Sequence, residues 1–157
     1  MSPLRILGIG SPSGDDQAGW LVVDALLTLG VQTGGGCVIE KLDRPGANLI
    51  SLLENASRVI LIDAMQGDGP PGRIRRFDRK DWPNYNHGLS SHGLGVLDAL
   101  SLAQGLASLP ARLDLYGIEI GSARPGDEPG LEIQVAARQL ARAVAAELDA
   151  PLSIRGI

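Results

Sequence analysis

The chain has 157 residues, of which 44% are hydrophobic, 20% charged and only 3% aromatic, and its formal net charge is -4. One domain of that length can bury a real core built from Leu, Ile, Val and Ala, and an acidic balance without a basic run argues against nucleic acid as a partner. A solitary Cys37 excludes a disulfide framework or thiolate zinc cluster and reads as strand packing.

Leu4 to Ile9 is a compact apolar run ending in Gly8-Ile9-Gly10, a first strand. Asp16 to Leu29 carries Trp20, Val23, Leu26 and Leu27 at helical spacing, and Gly30 is a stop signal. A second strand spans Cys37 to Leu42, and a short helix Ala47 to Asn55. Arg58 to Ala64 is nearly all apolar, as a strand covered on both faces should be. Arg73 to Phe77 alternates and reads as an edge strand. The basic cluster there (Arg73, Arg75, Arg76, Arg79 and Lys80) is interrupted by Ile74, Phe77 and Asp78, so it reads as a wet strand side rather than a phosphate track. Residues 79 to 93 form a polar loop with both histidines, and Leu94 to Leu106 is helical. Arg112 to Ile118 is the last strand and Leu131 to Leu148 the longest helix.

The order β-α-β-α-β-β-α-β-α, without repeat or linker, predicts a single domain over residues 1–157. Its fold class is a three-layer α/β/α sandwich with a mostly parallel sheet. No apolar stretch approaches the roughly 20 residues that span a bilayer, and no basic-then-apolar signal opens the chain. The expectation is a cytoplasmic protein with no membrane partner.

In such sheets ligands bind beyond the carboxyl ends of the strands, where strand order reverses. A first strand flanked by the second and third sets the loop after Gly10 beside the end of the third strand. Carboxylates fall at both places: Asp15-Asp16 and Asp63. Gly8-Ile9-Gly10 resembles a dinucleotide loop, but two acids stand where a pyrophosphate would lie, and Pro12 removes an amide donor. A cation is the better match. Asp63 leaves an apolar strand and needs a partner, and no helix pattern follows for it to cap. Asp15 or Asp16 could cap the following helix, and one of the pair is expected to do so. His87 and His92 are the only imidazoles, and His92 stands just before a helix. Two carboxylates and one imidazole form an oxygen-nitrogen donor set suited to nickel, zinc, cobalt or manganese.

These residues also resemble a known family. Gly8-Ile9-Gly10 with Asp15-Asp16 and Gly19 is similar to the N-terminal motif of the hydrogenase maturation endopeptidases. Val59 to Ala64 resembles their central strand, Ser91-His92 with Leu94 their histidine motif, and Gly117-Ile118-Glu119 their last strand. The resemblance implies a twisted five-stranded sheet, mostly parallel with one antiparallel strand, between helix layers. It implies that Asp16, Asp63 and His92 contact the metal and carry catalysis, and that Asp43 contacts substrate. The implied activity is metal-dependent endopeptidase removal of a C-terminal extension from the precursor of a nickel-iron hydrogenase large subunit. Nickel would arrive with that precursor, other divalent metals serving in vitro. Against the family pattern, Ser11 replaces an Asn, the loop to Asp15-Asp16 is one residue shorter, Arg44-Pro45-Gly46 replaces a glycine-rich turn, and Ile120 replaces a proline. The alternative kept beside this reading is a non-catalytic relative that binds metal or precursor as an assembly factor.

Overall fold

A computed structural model describes residues 4–31, 34–54, 56–66, 69–77, 96–121 and 124–155. Five strands form one sheet: β1 (Leu4–Gly10), β2 (Cys37–Asp43), β3 (Arg58–Met65), β4 (Ile74–Phe77) and β5 (Arg112–Glu119). The described helices of more than one turn are α1 (Ala18–Thr28), α2 (Asn48–Leu53), α3 (Val96–Gly105) and α4 (Leu131–Arg155). Strand order is β2-β1-β3-β5-β4. All neighbours are parallel except β4, which runs antiparallel to β5 at the edge. The sandwich expected from the sequence is the one observed. The chain leaves β1 toward β2 on one side and β3 toward β4 and β5 on the other, so the switch point lies between β1 and β3.

Strand alternation divides the core into two layers. Leu7, Ile9, Val59, Leu61, Met65 and Leu115 face α2 and α3, where Leu49, Leu53, Ala99 and Leu100 meet them. Ile6, Ile60, Ile62 and Ile118 face α1 and α4, packing on Val22, Leu26, Ile133 and Leu140. Because β3 is covered on both sides, Val59 to Met65 are all buried, which is why the run needs no polar alternation.

Helix α1 lies unusually close to the sheet because two glycines leave room for it. A Cβ on Gly8 would stand 2.3 Å from the carbonyl oxygen of Gly19, and one on Gly19 would stand 2.3 Å from the carbonyl oxygen of Ile9 and 2.6 Å from that of Ile62. The helix stops at a left-handed Gly30 (φ 93°). There the Gly30 amide reaches Leu27 and the Val31 amide reaches Leu26, at 3.1 Å each, the paired bonds of a Schellman motif.

At the opposite, N-terminal edge of the sheet, buried Asp114 accepts from Arg58 Nη2 at 3.0 Å and from Arg76. Glu147 of α4 accepts from Arg58 and Arg112, at 2.8 Å each, and from the Tyr116 hydroxyl at 3.2 Å. This network fastens α4 to β3, β4 and β5. It also revises the reading of the basic cluster. Arg76 turns to Asp114, while Arg75 lies over the Phe77 ring, so the arginines divide between two strand faces. Arg79 and Lys80 lie outside the described residues.

Other boundaries moved slightly. Residues expected to open the first helix form a separate 3-10 turn, Gly14–Gln17. Asp63 does not end its strand, which runs two residues further to Met65. Helix α4 continues past Leu148 to Arg155, where Pro151 removes one backbone donor without ending it. Among the described residues no helix is long and apolar enough to cross a membrane.

Candidate active site at the carboxyl edge of the sheet

Ser11 follows the last residue of β1 and precedes Pro12, a position biased to extended backbone. Its amide bonds the Asp16 carbonyl at 3.3 Å, and its hydroxyl donates to Asp16 Oδ2. Between them the chain turns through a left-handed Gly14 (φ 50°), and the Asp16 amide returns to the Ser13 carbonyl at 2.9 Å. The result is a small closed loop with Ser11, Asp15 and Asp16 all buried. Gly10 permits it, because a Cβ there would stand 2.6 Å from the Asp16 carbonyl oxygen.

The two adjacent acids have separate partners. Asp15 Oδ2 accepts from the Gly121 amide at 2.9 Å and Oδ1 from the Gly130 amide at 2.7 Å. The bridge between Ser13 and Pro125 and the Gly14 amide on the Asp127 carbonyl at 3.1 Å strengthen the same seam. Asp15 therefore ties the loop after β1 to the connection from β5 into α4. The expectation that one of the pair caps the following helix is corrected. The N-cap positions of the 3-10 turn and of α1 are Ser13 and Gln17, neither of which caps with its side chain, and Asp15 serves amides from the far end of the chain. Asp16 turns toward Ser11 at the sheet edge.

Asp63 belongs to β3, next to β1, and is fully buried opposite Gly117. Its Oδ1 accepts the Ala64 amide at 2.9 Å. Alternation points it to the α2/α3 face with Leu61 and Met65. The 3-10 turn carrying Asp16 packs against β3, the strand that carries Asp63, so the two acids sit on adjoining elements at the carboxyl edge.

Asp43 ends β2 on the other side of β1, paired in register with Gly10. Its side chain is half exposed and holds Arg44 Nε at 2.9 Å. By alternation it faces the α1/α4 side, away from Asp63. Arg44 adopts a left-handed backbone (φ 43°), and its amide bonds the Gly10 carbonyl at 3.2 Å. His92 lies outside the described residues, four positions before α3 begins. Among the described residues, no group of three or more His, Cys, Asp or Glu is arranged to hold a metal ion.

Glu119, at the carboxyl end of β5, reads in the sequence only as part of a strand motif. It is buried, Oε1 accepts the Gly69 amide at 3.2 Å, and Arg73 Nε stands 3.9 Å from Oε2. A Cβ on Gly69 would approach that carboxylate to 2.0 Å, so a larger residue there would push the Glu119 side chain aside. The sequence signal was an isolated acid ending an apolar strand, the same signal that marked Asp63.

The sequence model of the hydrogenase maturation protease family, HycI, matches residues 44–149. The chain belongs to that family. Hydrogenase maturation proteases are peptide hydrolases, and solved structures agree with the assignment in fold. The hydrogenase maturating endopeptidase HybD from E. coli superposes with a TM-score of 0.80 at 22% identity, covering 95% of this chain and 93% of that one. The HybD protease from Thermococcus kodakarensis gives 0.71 at 24% identity, covering 93% and 98%. A hydrogenase 2 maturation peptidase from a Thaumarchaeota archaeon gives 0.66 at 25% identity, covering 93% and 97%. No curated protein matches the chain.

Proposed function

We propose that this hydrogenase maturation protease removes the C-terminal extension of a nickel-loaded large-subunit precursor of a nickel-iron hydrogenase, in the cytoplasm. The nickel belongs to the substrate, and Asp16, Asp63 and His92 are its contacts on the protease. The observation that carries the reading is the pair of buried carboxylates, Asp16 and Asp63, on adjacent elements at the switch point. A divalent cation held between two buried carboxylates would offset the charge of both at once. Asp15 is set aside because each of its oxygens already accepts a backbone amide.

Carboxylate and imidazole donors suit nickel. A nickel ion held beside the scissile bond would supply Lewis acidity. The chain's own part is positional: Asp16 and Asp63 fix the precursor's metal relative to the sheet edge, and Asp43 contacts the precursor from the β2 end. His92 adds the nitrogen donor just before α3.

The test is incubation of purified protein with large-subunit precursor, loaded or not loaded with nickel, read by mass spectrometry. Cleavage of the loaded precursor alone, lost in Asp63→Asn and His92→Ala, is the expected result. Full activity in both variants would end this assignment of residues, and binding without any mass loss would favour the assembly-factor reading.

A further inference from the structure

We propose that Ser11 is a positioning residue for Asp16, holding its carboxylate in the orientation that meets the metal. The proposal rests on the reading of Asp16 as a nickel contact and deepens it. Ser11 and Asp16 are 2% and 7% exposed, so water competes little for their hydrogen bond. The hydroxyl donates to Asp16 Oδ2. Two backbone constraints fix where the hydroxyl starts. Pro12 biases Ser11 to extended geometry, and the Ser11 amide is bonded to the carbonyl of Asp16 itself at 3.3 Å. Donor and carboxylate therefore share one rigid loop.

Asp15 steadies the turn from outside by gripping Gly121 and Gly130, and Ser11 acts on the Asp16 carboxylate directly. Groups that orient a ligating side chain in this way commonly change metal affinity by about 10- to 100-fold when removed.

The test is nickel(II) titration of the full chain by calorimetry, with melting temperature recorded for each variant. Ser11→Ala should bind nickel at least about tenfold more weakly, while its melting temperature should fall by about 10 °C or less, the shift expected from one lost buried hydrogen bond. Ser11→Thr, which keeps the hydroxyl, should recover most of the affinity. In an Asp16→Ala background, Ser11→Ala should have no further effect, because a double-mutant cycle removes any influence exerted through Asp16. Wild-type affinity in Ser11→Ala, with affinity lost in Asp16→Ala, would overturn the role of Ser11 and leave Asp16 as a ligand. An equal loss in both backgrounds would make Ser11 merely structural. Wild-type affinity in Asp16→Ala, or no nickel binding by the wild type, would defeat the metal reading of Asp16 and this proposal with it.

Discussion

At the scale of single residues, the two adjacent acids after β1 differ in what they hold. Asp15 is buried and receives two amide donors from segments 106 and 115 residues away in sequence. Hydrogen bonds to a charged acceptor contribute about 1.5–3 kcal/mol each. Asp15→Ala should therefore destabilise the fold by about 3 kcal/mol or more. At roughly 2–4 °C per kcal/mol for a domain of this size, thermal melting should show a drop on the order of 10 °C. Asp16→Ala loses the bond from the Ser11 hydroxyl but leaves Asp15 gripping Gly121 and Gly130, so its melting temperature should fall less. An equal fall in the two variants would contradict this division. No sequence pattern announced it. Adjacent aspartates before a helix look alike, and Gly121 and Gly130 become partners only through the fold. The family motif singles out Asp16, and geometry adds the reason why its neighbour is engaged elsewhere.

At the scale of elements, the legible features were those whose period sits in the sequence. The doubly covered β3, the apolar stripe of α1 and the alternation of β4 follow from residues a few positions apart. Less legible were features set by distant partners: the 3-10 turn, the arginine-carboxylate network, and the close seat of α1 on β1. The last gives a sharp prediction. Gly19→Ala in the first turn of α1 would ordinarily gain up to about 1 kcal/mol in helix propensity, but here the added methyl would stand 2.3 Å from the Ile9 carbonyl oxygen. Overpacking costs of about 1–3 kcal/mol or more win, because the obstacle is strand backbone and not a mobile side chain. Denaturant unfolding should show Gly19→Ala less stable than wild type, whereas a gain would mean that α1 shifts without cost. The network that fastens α4 makes a pH prediction. Burial, then the nearby Glu147, raise the Tyr116 phenol above its ordinary value near 10. The folded state thus prefers the protonated phenol. Its contribution is complete below about pH 10 and is lost as pH rises through the folded value. Above that pH, wild-type melting temperature should fall more steeply than that of Tyr116→Phe, which has no proton to lose; parallel curves would remove Tyr116 from the alkaline transition.

At the scale of the whole molecule, stability and chemistry occupy different parts of the sheet. Two apolar layers close on β1, β3 and β5 from both faces, and the arginine-carboxylate network secures the N-terminal edge. The candidate site lies at the carboxyl edge, on loops tied down by Asp15 and Glu119. Residues that build the fold and residues proposed to meet nickel hardly overlap. A metal that arrives with the substrate should then leave stability almost untouched, because a ligand stabilises the folded state only to the extent that it is bound. Adding EDTA to the isolated protein should accordingly shift the melting temperature by no more than about 1–2 °C, less than the change expected from 1 kcal/mol. The same treatment of the precursor, stripping its nickel before mixing, should abolish cleavage. A large fall in melting temperature with EDTA would instead identify a resident structural metal, and unchanged cleavage of stripped precursor would show that nickel is not what these carboxylates recognise.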